Sequence, residues 1–219
     1  MKPLVFSLLI LSSVMLNAQD KAPALPRFSI RASAGIPKYV SSQLLQHSFS
    51  GVITGDATVN YKLFSNFFIG VGYSFTYLQA QKALRDQRIN TYTEIQNGYL
   101  KVGYDHFFSD NAFTTISLNA GYGLTSYKGI TYYNDTLKGK FPTQYNSAFM
   151  ETQLGVYFLV DPKIAIGGHI GYNFNFSKFD LQKPSLDKWL PNQTGVTNHW
   201  DISSITLCFG FYYGIGKTK

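Results

Sequence analysis

Six charged residues, Arg31, Asp56, Lys62, Lys101, Asp105 and Glu151, each stand inside a run of alternating apolar side chains. Set on one face of extended segments, they can neutralise one another as a buried network or line a narrow polar passage. His169 is the candidate general base. That role needs a nucleophile and an orienting acid within reach, and Ser117, Ser147 and Glu151 are the residues on offer. No spacing aligns them, so His169 reads as a further member of the charge network. His47, His106 and His199 have no metal-ligand spacing. Cys208 is the sole cysteine, so it forms neither an internal disulfide nor a metal cluster. No glycine loop for phosphate is present. The expectation is therefore no catalytic, cofactor-binding or metal residue, no cofactor, and no enzyme activity.

The elements that position these residues follow from period two. Phe67 to Tyr77 reads Phe-Phe-Ile-Gly-Val-Gly-Tyr-Ser-Phe-Thr-Tyr, with large apolar residues at odd positions and Gly70, Gly72, Ser74 and Thr76 between them. The small polar face is too meagre for half of an ordinary core. A strand with lipid on one side and a polar lumen on the other fits both faces. Ile116, Leu118, Ala120, Tyr122 and Leu124 repeat the pattern against Ser117, Asn119, Gly121, Gly123 and Thr125. Further on, Ile166, Ile170, Tyr172, Phe174 and Phe176 alternate with Gly167, His169, Gly171, Asn173 and Asn175. The last stretch turns Ile205, Leu207, Phe209, Phe211 and Tyr213 outward. The same parity turns the six charges inward, where they escape the ~2–4 kcal/mol that a lipid-facing Arg or Lys costs at the midplane. Eight staves leave room for little more than side chains, so a paired plug is expected, with a narrow channel as the alternative.

Eight strands are predicted, at Phe28–Ile36, Gly51–Leu63, Phe67–Gln79, Thr93–Phe107, Ala112–Tyr127, Ser147–Leu159, Ile164–Ser177 and Trp200–Gly214. Turn chemistry closes three connections: Phe64-Ser65-Asn66, Phe108-Ser109-Asp110-Asn111 and Val160-Asp161-Pro162-Lys163. The other four, 37–50, 80–92, 128–146 and 178–199, are long. Short and long alternate, as periplasmic turns and extracellular loops do in bacterial barrels. The expected fold is all-β: an eight-stranded antiparallel up-and-down transmembrane β-barrel. Residues 1–18 read as a secretory signal, with Lys2, an apolar run from Leu4 to Leu16, and Ala18 at the cut. Residues 19–26 form a periplasmic lead and residues 27–216 the barrel. The expected location is the outer membrane of a Gram-negative bacterium, both termini periplasmic.

Composition agrees with this. Tyr and Phe number 16 and 18, while charged residues make up 14%, against about 25% in a soluble domain. Aromatic belts at two lipid–water interfaces use such residues. The net charge is +7, and the excess gathers in or beside the long connections. Lys38, Lys82, Arg85, Arg88, Lys128, Lys138, Lys140, Lys178, Lys183 and Lys188 outnumber Asp86, Asp135, Asp180 and Asp187 there. Outer-membrane lipid and the phosphates of lipopolysaccharide are the expected contacts, with an envelope protein as a further candidate. No nucleic-acid motif is present.

The segments Phe68-Ile69-Gly70-Val71-Gly72-Tyr73 and Leu118-Asn119-Ala120-Gly121-Tyr122-Gly123, repeated in kind over residues 27–216, resemble the small outer-membrane β-barrel family that includes PorT-like proteins and the OmpA transmembrane domain. The resemblance implies insertion by the barrel assembly machinery and, on the PorT side, a part in secretion. Members often end in an aromatic residue; here Phe209, Phe211 and Tyr213 precede a Gly-Ile-Gly-Lys-Thr-Lys tail. A lipid A deacylase of this architecture would carry His-x-Ser in a late strand. His169-Ile170-Gly171 and His199-Trp200-Asp201 depart from it. A lipid-modifying enzyme and a small-solute channel remain the alternatives.

Overall fold

Strands that face lipid must pair every backbone donor and acceptor, and closing the sheet on itself achieves this. A computed structural model describes residues 25–40, 46, 48–64, 66–81, 89–133, 136–140, 143–177 and 202–216. The strands are β1 (Phe28–Tyr39), β2 (Phe49–Lys62), β3 (Phe67–Ala80), β4 (Ile89–Ser109), β5 (Ala112–Tyr133), β6 (Thr136–Lys140), β7 (Thr143–Asp161), β8 (Ile164–Asn175) and β9 (Ile202–Ile215). All pairings are antiparallel, and β1 closes on β9 from Phe28↔Ile215 to Tyr39↔Ser204. The short β6 pairs with β5 just above the point where β7 leaves it, from Ile130↔Lys140 against Tyr127↔Thr143. It therefore continues the stave of β7, and the nine strands make an eight-stave barrel.

The largest departures from the sequence pattern are in β4, β5 and β7, which have 21, 22 and 19 residues. Much of the connection 128–146, expected as a loop, is a paired hairpin that includes β6, so Lys138 and Lys140 lie on a strand. Above the bilayer both faces of a sheet meet water, so apolar alternation disappears while ladder hydrogen bonds persist. Likewise β1 continues past the predicted Ile36 to Tyr39, with Pro37 opposite Thr206.

Parity holds around the wall. Ile69, Val71, Leu100, Val102, Leu154, Ile170, Leu207 and Phe209 are exposed outward, while Arg31, Lys101, Asp105, Glu151 and His169 are buried inward. A bulge between Gly51 and Ile53 in β2 leaves both Val52 and Ile53 outside. Aromatic pairs mark two rims. Phe67–Tyr104, 4.8 Å apart, and Phe28–Tyr61, 4.9 Å apart, stand near the short turns. Tyr77–Tyr92, 5.6 Å apart, stands at the opposite rim. From Phe67 to Tyr77 a tilted strand climbs about 25 Å, the height of an outer-membrane apolar band.

The lumen is layered. Near the short turns Leu25, Phe107, Phe113, Tyr157, Ala165 and Tyr212 form an apolar plug, with Phe113 stacked on Tyr157 at 5.4 Å. Toward the long connections Tyr39, Phe49, Leu78, Ala80, Ile95, Tyr127 and Ile202 form a second. The buried charges Arg31, Lys101, Asp105 and Glu151 lie between them.

Candidate functional site

The central layer joins side chains of paired neighbours with others that reach across the lumen. Arg31 on β1 crosses the lumen to β4 and β5. Its Nη2 meets Asp105 Oδ2 at 2.6 Å, its Nη1 donates to Thr115 Oγ1 at 3.1 Å, and Thr115 Oγ1 donates to Asp105 Oδ1 at 2.6 Å. The guanidinium lies over Phe68 at 4.3 Å and faces Tyr212 at 5.3 Å, so it rests on the lower aromatic plug. A charge buried this deeply is tolerable because its partner and an added hydrogen bond compensate the lost water.

Above it the charges are joined through a neutral hub. Gln153 on β7 accepts from Lys101 Nζ at 2.7 Å and from Ser117 Oγ at 3.4 Å. Its amide donates to Glu151 at 3.1 Å and to Asp56 at 3.3 Å. Asn119 donates to Glu151 at 2.9 Å, and Ser33 donates to Asp56 at 2.8 Å. Arg31–Asp105 is thus a direct ion pair, whereas Lys101 reaches its carboxylates by way of an amide. Parity alone identifies Gln153 as inward. Only the register, with Gln153 opposite Ser117 on β5, makes it the hub. Lys62 is half-buried nearer the short turns.

The space beside Gly70 and Gly72 on the inward face of β3 is filled by neighbouring side chains. A Cβ on Gly72 would lie 2.5 Å from the Tyr99 ring, and one on Gly70 would strike the Asn60 side-chain oxygen. An aromatic ring and an amide, rather than ions, take up that volume.

His169 faces Cys208 across the β8–β9 ladder, and both line a polar cavity with Asp56, Glu151, Asn173 and Thr206. The cavity offers about 20 Å³, enough for one water. Among the described residues no hydrogen bond links His169 to Ser117, Ser147 or Glu151, and no His, Cys, Asp or Glu group is arranged to hold a metal ion. Ser117 is engaged with the hub instead.

At the far rim Lys128 pairs with Glu94 at 2.5 Å on the outer side of the β4–β5 ladder. Lys82, Arg85, Arg88, Lys183 and Lys188 lie outside the described residues, as do the side chains of Lys138 and Lys140.

No protein-family model matches the chain, and no curated protein matches it significantly. Solved structures do match. The crystal structure of Neisserial surface protein A superposes with a TM-score of 0.58 at 16% identity, covering 86% of this chain and 97% of that one. A major outer membrane protein from Thermus thermophilus gives 0.51 at 15% identity, covering 86% and 98%. At these identities the likeness is one of fold, and the fold is that of small outer-membrane β-barrels.

Proposed function

We propose that this integral outer-membrane β-barrel acts through its extracellular surface, as a scaffold whose basic connections hold lipopolysaccharide. The observation that carries this reading is the filled lumen. Two apolar plugs enclose a hydrogen-bonded charge layer, so among the described residues solute passage has no continuous polar path to follow. Chemistry inside is disfavoured on the same ground, since among the described residues His169 has no hydrogen-bonded nucleophile and a large substrate has no room. What remains for function is the rim. Lys82, Arg85, Arg88, Lys138, Lys140, Lys183 and Lys188 supply cations on the long connections, which are extracellular when the short turns are periplasmic. Screened attraction of several cations to clustered phosphates gives salt-dependent binding.

The test is binding of the reconstituted barrel to lipopolysaccharide vesicles. Reversing Lys82, Arg85 and Arg88 to Glu should weaken binding and flatten its salt dependence. Unchanged binding would contradict the reading. An acidic envelope protein could dock on the same cations; crosslinking in intact cells would then capture it in place of lipopolysaccharide. A PorT-like part in secretion draws on the strand resemblance, and loss of a secreted product on deletion would support it.

A further inference from the structure

Asp56 and Glu151 share one cation, and neither meets it directly. Gln153 Oε1 accepts from Lys101 Nζ at 2.7 Å, and Gln153 Nε2 donates to Glu151 Oε2 at 3.1 Å and to Asp56 Oδ2 at 3.3 Å. Two carboxylates from opposite walls, β7 and β2, thus converge on a single amide nitrogen. Arg31 does not make up the difference, because its guanidinium is committed to Asp105. Lys62 does not either: it stands half-buried six residues below Asp56 on β2, about 20 Å along the strand. Among the described residues, the upper half of the charge layer therefore sets Asp56 and Glu151 against Lys101 alone.

Both carboxylates border the polar cavity that His169 lines. The two hydrogen bonds to Glu151 fall on Oε2, so among the described residues Oε1 accepts none. His169 is 7% exposed and makes no hydrogen bond among the described residues. Asn97 Oδ1, from the same lining, is also buried without a partner. The other ionisable groups around His169 are Arg31 and Tyr39 from β1, Lys101 and Tyr99 from β4, Tyr157 from β7 and Cys208 from β9. Neutral groups come from the remaining staves, Ser74 and Thr76 on β3 and Asn119 on β5. The cavity has room for about one water, some 20 Å³, and no set of metal ligands is arranged there among the described residues. A proton is the cation that fits such a space without displacing a side chain.

We propose that the cavity is a proton site: at neutral pH Asp56, Glu151 and His169 hold one proton among them, and losing it in alkali sets β2 and β7 against each other across the lumen. Like charges shut away from water repel strongly, and Gln153 alone bridges them. The barrel is then a pH-sensitive device, its upper lumen drawn together while the proton is bound.

The test is urea unfolding from lipid vesicles, from about pH 6.5, where a free histidine loses its proton, up to about pH 9. Over this range the unfolded carboxylates are ionised, so the folded barrel holds one proton more than the unfolded chain. Stability therefore falls as pH rises. Glu151→Gln keeps an oxygen to accept from Asn119 and Gln153 and leaves one carboxylate for one lysine. Relative to this variant, the folding constant of the wild type should fall about tenfold per pH unit. Asp56→Asn should remove the same fall, while Glu94→Gln at the rim should retain it. A merely structural role for Glu151 would lower stability equally at every pH. Parallel pH profiles for the wild type and both lumen variants would overturn the proposal. So would stabilisation by sodium over choline, at constant ionic strength, that both lumen variants lose, since a metal ion would then fill the cavity.

Discussion

Arg31 and Asp105 show what single residues contribute and how far their sequence reveals it. The alternation around each places both in the lumen, but they lie on β1 and β4, which share no ladder. Their meeting depends on closure of the barrel and on the stagger between staves, which local periodicity does not encode. Asp105→Asn leaves the guanidinium buried beside a neutral amide and should cost about 3–5 kcal/mol, read as a lower urea midpoint for unfolding from lipid vesicles. Replacing both partners, as Arg31→Met with Asp105→Leu, should recover much of that loss, because neither charge then remains to be desolvated. Gln153 is the residue that charge-seeking overlooks: it is neutral, yet Lys101, Ser117, Glu151 and Asp56 all bond to it. Gln153→Leu should destabilise the barrel by about 1–3 kcal/mol for each buried polar group left unpaired, measured in the same unfolding assay.

At the scale of the strand, what is legible is whatever lipid dictates. Between the aromatic rims the outward side chains of β3, β8 and β9 are almost all large and apolar, so these strands announce their faces and nearly their ends. Above the rim that constraint lapses, and the upper parts of β4, β5 and β7 read as loop although they pair. Turns with special chemistry, Asp110-Asn111 and Pro162-Lys163, fall where their residues say they should. Two substitutions separate the faces of a stave. Leu100→Arg, on a side chain 66% exposed to lipid, should cost about 2–4 kcal/mol of folding free energy in vesicles. Gly72→Val presses a branched side chain against the Tyr99 ring and Thr58 and should cost about 1–3 kcal/mol by overpacking.

For the whole molecule, the sequence conveys a closed wall far better than a purpose, because lipid imposes a pattern on every stave while a binding surface needs a few residues on irregular connections. The filled lumen moves attention to the surface, where the cations of the long connections are proposed to meet lipopolysaccharide. A surface role is the one left to a barrel that holds its interior shut. Tyr39, Phe49, Leu78 and Tyr127 close one end, and Phe107, Phe113, Tyr157 and Tyr212 close the other. Recording current across a planar bilayer that contains the folded, purified barrel tests this most directly. The account predicts no conductance above that of the bare bilayer across the voltage range the membrane tolerates. A steady current that scales with salt concentration would contradict it, and would make the charge layer the lining of a pore.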